Sequence, residues 1–124
     1  MMRLRLLFFV AFLASTCAHT PPSLSPPAQI AWQQHEIQKD LDMIRDIAQD
    51  ANAQHPPLIS TPATRQITLW HKTAITLVHD APAGWRVTVM AGLEALRTNL
   101  APNEYRIIAP YVGVAQLILK NIQP

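Results

Sequence analysis

Cysteine occurs once in this 124-residue chain, glycine three times and serine four times. One cysteine excludes a framework of internal disulfides, so the fold must stand on apolar burial alone or on burial plus partners. Three glycines leave no glycine-rich loop to cradle a phosphate. Ser15, Ser23, Ser25 and Ser60 all fall in leader, linker or loop positions, and none is set up as a hydrolase nucleophile on a sharp turn beside a histidine. No apolar run approaches the roughly 20 residues of a membrane-spanning helix. Charge of either sign is sparse, 10 Lys+Arg against 8 Asp+Glu. Arg3 and Arg5 belong to the leader, and the rest of the chain is neutral, which gives no footprint for nucleic acid. The five histidines make no ligand set. The position four after His35 is Lys39, so the His-Glu-x-x-His zinc pattern is missing. His71 and His79 would lie about 80° apart around a helix of 3.6 residues per turn. The expectation is no metal, no cofactor and no enzyme.

What the sequence does have begins at its start. Arg3 and Arg5 lead, Leu6 to Ala14 form an apolar run, and Ser15, Thr16 and Cys17 follow. This is the layout of a secretory signal peptide. A lone cysteine directly after such a run resembles the modification site of bacterial lipoprotein precursors. The resemblance covers 17 residues and implies cleavage before Cys17 and a lipid on its sulfur. That pattern has a smaller residue where Thr16 stands, and Leu, Val or Ile where Ala14 stands. Two other readings stay open: cleavage after Ala18, which would remove the cysteine, and an uncleaved, short anchor. Ala18 stands where an aspartate would mark inner-membrane retention in the resembling family, so the resemblance implies the outer membrane, facing the periplasm. His19 to Pro27 holds Pro21, Pro22, Pro26 and Pro27, a composition that favours an extended, semi-rigid spacer.

The expected organisation is a signal peptide over 1–16, a lipidated cysteine and tether over 17–27, and one helical domain over 28–124. Ala28 to Gln54 has neither glycine nor proline. Ile30, Ile37, Ile44 and Ala51 recur every seven residues, with Leu41 and Ala48 between them, so one apolar stripe runs at helical period. Asp42, Asp46 and Asp50 make an i, i+4 row read as a solvated acidic face, and His55-Pro56-Pro57 ends the helix. Ser60-Thr61-Pro62 carries a hydroxyl cap and an early proline, the signature of a helix start. That second helix is expected to reach about His79, with Ile67, Trp70, Ala74, Leu77 and Val78 as its stripe. The region is rich in strand formers, so a hairpin at about 66–90, giving an α+β fold, is the alternative. Val89, Leu93, Leu96 and Leu100 keep helical spacing and favour a third helix from about Pro82 to Asn99. The predicted fold is therefore all-α, a small bundle of about four helices.

The fourth helix, from Pro102 to about Ile122, has more apolar surface than one stripe needs. Tyr105, Ile108, Val112, Ala115, Leu119 and Ile122 form the main row. Ile107, Tyr111, Val114 and Ile118 form a second, and are the candidate interface residues. Such a helix either sits centrally in the bundle or offers its surplus face to another chain. The small pair Ala109 and Gly113 would let a neighbouring backbone approach. Residues 28–55 carry five acidic and two basic side chains, and 56–124 three and six; the imbalance would help the first helix lie against the rest or, alternatively, dock the acidic segment onto another, basic protein. Two functional expectations follow. One is a membrane-tethered helical module, anchored at Cys17 and working through contacts with an envelope protein or a second copy as an adaptor or assembly factor. The other is a soluble periplasmic binder of a small apolar ligand.

Overall fold

The structure is a computed structural model that describes residues 25–120. Cys17, the leader and the tether up to Leu24 lie outside the described residues. Four helices in chain order, α1 (Pro26–Asn52), α2 (Thr61–Asp80), α3 (Trp85–Asn99) and α4 (Pro102–Lys120), make up the described chain, with no strand among them. The hairpin alternative for 66–90 is thereby overturned. The chain divides into two units between Ala31 and Trp32, and the core belongs to the unit that begins at Trp32.

Helix α1 starts two residues before the expected Ala28. Ser25 takes the capping place, its hydroxyl accepting from the Ala28 N–H at 3.4 Å and its carbonyl accepting from the Gln29 N–H at 2.9 Å. Pro26 and Pro27 then occupy the first turn, where a missing N–H costs nothing. Along α1, Ile37, Leu41, Ile44, Ala48 and Ala51 are buried as one stripe, whereas Ile30, in the other unit, is exposed. The helix ends at Asn52, whose side-chain amide donates to the Ile59 carbonyl at 3.0 Å, while the Leu58 N–H returns to the Ala51 carbonyl at 3.0 Å.

Helix α2 begins at the hydroxyl cap read in the sequence: the Ser60 hydroxyl accepts from the Ala63 N–H at 3.3 Å. The strand-forming threonines are accommodated by a single device. Thr64, Thr68, Thr73 and Thr76 each donate their hydroxyl to the carbonyl four residues earlier, at 2.9 to 3.3 Å. That satisfies the side chain inside the helix and takes away its reason to favour a turn or a ladder. The buried row is Ala63, Ile67, His71, Ala74 and Val78. Trp70 and Leu77, expected in this row, are half-buried at the border of the core.

The third helix starts at Trp85 rather than Pro82. Ala81 closes α2 in the left-handed region (φ 45°, ψ 51°), its N–H donating to the Leu77 carbonyl, and Gly84 opens α3 at φ 78°. Two residues of positive φ so close together reverse the chain and leave Pro82 and Ala83 in the turn. α3 buries Trp85, Val89, Leu93 and Leu96, and α4 buries Ile108, Val112, Ala115 and Leu119. Each fully buried aliphatic side chain is worth about 1.5–3 kcal/mol relative to exposure.

Three cross-links fix the antiparallel register of α1 on α2: Gln34 donates to the Val78 carbonyl at 2.7 Å, Asp42 meets His71 at 2.7 Å, and Asn52 donates to the Thr61 hydroxyl at 3.3 Å. Further along, α2 packs on α3 and α3 on α4. At Gly92 of α3 an added Cβ would lie 2.7 Å from the Trp70 indole nitrogen of α2, so the absence of a side chain is what admits the ring. Gly113 of α4 has nothing among the described residues within 4 Å of its virtual Cβ. Within this chain the close approach expected at Ala109 and Gly113 is thus not made at Gly113. The Ser60 N–H donates to the Glu104 carboxylate at 2.7 Å and joins the first turns of α2 and α4.

Candidate functional site

Helix α4 is peripheral. Its inner row is buried, and Arg106, Pro110, Gly113, Leu117 and Lys120 are exposed. The four candidate interface residues fall between these faces. Ile107, Tyr111 and Ile118 are half-buried against the core, and Val114 is half-buried beside them. Leu117, 49% exposed, and Pro110 extend this band outward. A central position for α4 does not fit these exposures, since a central helix is covered all round. On the flank towards α3, Arg97 holds the exposed Glu94 carboxyl below its usual range, chiefly through hydrogen bonds. Burial, with Glu94 nearby, raises the Tyr105 hydroxyl.

The acidic row of α1 is not a uniform face. Asp42 pairs with the buried His71, Asp46 pairs with its neighbour Arg45 at 3.0 Å, and Asp50 is exposed. Among the described residues no three His, Cys, Asp or Glu side chains are placed to hold a metal ion. The His71–Asp42 pair has the form of an oriented imidazole, yet the threonine hydroxyls that flank His71 along α2, those of Thr68, Thr73 and Thr76, donate to helix carbonyls. The pair joins α1 to α2.

Sequence reading missed the buried polar residues of α1. Gln33 and Asp40 are 5% and 7% exposed, and Gln33 Oε1 and Asp40 Oδ2 have no hydrogen-bond partner among the described residues. Burial, and to a lesser degree the Glu36 carboxylate one turn away, pushes the Asp40 carboxyl up to about 7. The available signal was positional: Gln33, Asp40 and Ile47 are seven residues apart, so both polar residues lie on the flank of the apolar stripe.

A groove of about 690 Å³ opens where the α2–α3 turn meets the end of α4. Its walls are largely apolar, with Pro82, Trp85, Val87, Met90 and Leu119 among them, and its charged members are Arg86 and Lys120. Arg86 stacks over the Trp85 ring, its guanidinium carbon 5.9 Å from the centroid. No helix among the described residues is long and apolar enough to cross a membrane. Comparison with protein-family models, curated proteins and solved structures gives no match for this chain.

Proposed function

We propose that this chain is a small lipoprotein of the bacterial envelope, anchored through Cys17 and working as a helical adaptor or assembly factor through protein contact. The observation that carries the contact half is the width of the apolar face of α4. A surface helix needs an apolar stripe of about 100°. Here the buried row is flanked by the half-buried band of Ile107, Tyr111, Val114 and Ile118, with Leu117 and Pro110 beyond it. The occupant of that band is a second protein chain of the envelope, since covering half-exposed Ile, Val, Leu and Tyr side chains is what stabilises a protein interface. The anchor half is supported by the order of leader, cysteine and proline-rich spacer. A tether of this kind holds the domain near one surface and raises its effective concentration for a partner there.

Val114→Glu tests the contact half, because Val114 is not among the residues packed on the core. Cross-linking in intact envelopes should capture a partner, or a second copy, with wild type. The variant should lose that product while its circular dichroism and melting temperature stay unchanged. Wild type that cross-links to nothing and sediments as a monomer at every concentration would refute the proposal.

A further inference from the structure

The outermost line of α4 has a charge pattern of its own, and we propose that it receives an acidic amphipathic helix of another protein, which crosses α4 at Gly113 and sets a carboxylate against Arg106. This rests on the contact role of α4 and adds the chemistry of the partner. Arg106, Pro110 and Gly113 are exposed and follow one another at spacings of four and three residues, so they lie in one line along the helix. The half-buried Ile107 and Val114 run beside it. Gly113 sets the place of closest approach. An added Cβ there meets nothing within 4 Å among the described residues, so no neighbour in the described chain fills the place of the missing side chain, in contrast to Trp70 at Gly92. Glycine inside a helix costs about 1 kcal/mol relative to alanine. What it provides is room for another backbone, since the distance between packed helices depends on the side chains at the contact.

Charge selects the occupant. Arg106 forms no ion pair among the described residues. Its neighbours three and four residues away on α4 are Pro102, Asn103, Ala109 and Pro110, and none is a carboxylate. Glu104, the acid of α4, accepts from the Ser60 N–H at 2.7 Å, and Glu94 of α3 is held by Arg97. A second copy supplies no better counter-charge. Two α4 helices side by side in parallel set Arg106 against Arg106. Antiparallel pairing about Gly113 sets Arg106 against Lys120, since each is seven residues from the glycine. Like charges across an interface oppose association. Nor does α1 of a second copy fit: Glu36, Asp42 and Asp46 are paired with Lys39, His71 and Arg45, and Asp40 is buried, which leaves Asp50. The face therefore calls for a different chain, one that brings apolar side chains to Ile107 and Val114 and a carboxylate about two helical turns from its crossing point.

The test measures, by fluorescence anisotropy, the binding of three synthetic helical peptides to the full chain in detergent micelles. All three share a face of alanine and leucine with a central glycine. They differ in the residue placed about two turns to either side of that glycine: Glu, Gln or Lys. The Glu peptide should bind at least about ten-fold more tightly than the Lys peptide, with the Gln peptide between them, because complementary charge favours the contact and like charge opposes it. Arg106→Glu should reverse the order, and Gly113→Leu should weaken the Glu peptide at least about ten-fold, each with circular dichroism unchanged. In isolated envelopes the Glu peptide should reduce the cross-linked product of wild type, and the Lys peptide should not. Equal binding of the three peptides, binding of none, or an order that survives Arg106→Glu would overturn the proposal. Cross-linking that is lost with Val114→Glu but untouched by Arg106→Glu and Gly113→Leu would overturn it as well and leave the contact role standing. Capture of a second copy alone would do the same.

Discussion

Asp40 is a carboxyl held where water cannot reach one of its oxygens. Its ordinary value is 3.8 and burial raises it to about 7. The sign follows from which state gives up its proton first. Below about pH 4 both states hold the proton and the residue is without effect. Between about pH 4 and 7 the unfolded chain ionises while the folded chain does not, so stability falls with rising pH; above 7 the loss is complete. A shift of about three units corresponds to up to about 4 kcal/mol, a large share of the 5–15 kcal/mol of a typical domain. Asp40→Asn removes the ionisation and keeps the shape. We expect urea midpoints that differ little between pH 5 and pH 8 in the variant, and a marked drop at pH 8 in wild type. At pH 8 the variant should be more stable by about 1–3 kcal/mol, less than the full amount because the amide is still buried without partners. Equal pH slopes in the two proteins would show that Asp40 is solvated.

At the scale of elements, the helices differ in what would break them. α3 is the shortest and carries Leu93 and Leu96 at 0% and 2% exposure, the C-terminal half of its buried row. Leu93→Ala and Leu96→Ala should each cost roughly 2–5 kcal/mol through lost burial and the cavity left behind, read as a shift in the denaturation midpoint at constant slope. A cost below about 1 kcal/mol would mean that α3 does not seal the core. α2 shows what composition hides. Its Thr and Ile content also admitted a strand, and within the helix that the apolar spacing favoured the threonine hydroxyls bond back to carbonyls four residues earlier.

For the whole molecule, the four apolar rows were legible because each repeats at helical spacing over several turns, and Ser60 announced its own helix. The start of α3 was not legible. Ala81 takes a left-handed conformation that favours glycine, for the sake of the turn, and no local residue preference signals it. Gln33 and Asp40 were not legible as buried because their flank of α1 is covered by tertiary structure. Of the candidate interface residues, Ile107, Tyr111, Val114 and Ile118 were found by their excess over one stripe; how far each is covered depends on neighbours that one helix cannot reveal. The proposed anchor at Cys17 belongs to the entire chain. Cys17→Ser should move the protein from the membrane pellet to the soluble periplasmic fraction, or stall it as precursor, since stable attachment needs more than one acyl chain. Wild type that fractionates as soluble with His19 at its N-terminus would end the lipid reading.

The indole of Trp70 over Gly92 sets how freely this protein can drift in sequence. Two positions hold glycine inside helices, and they should respond in opposite ways. At Gly113 an added Cβ meets nothing within 4 Å among the described residues, and alanine gains about 1 kcal/mol of helix propensity. At Gly92 the same gain meets an atom 2.7 Å away, and displacing the ring costs about 1–3 kcal/mol. In a library of all substitutions scored for folded protein, position 113 should accept most residues and position 92 glycine alone, until Trp70→Leu is introduced and alanine becomes admissible there too. If Gly92→Ala is tolerated with Trp70 intact, the ring moves aside at little cost. Otherwise Trp70 and Gly92 form one unit of inheritance, and a descendant can change the glycine only after it has given up the tryptophan.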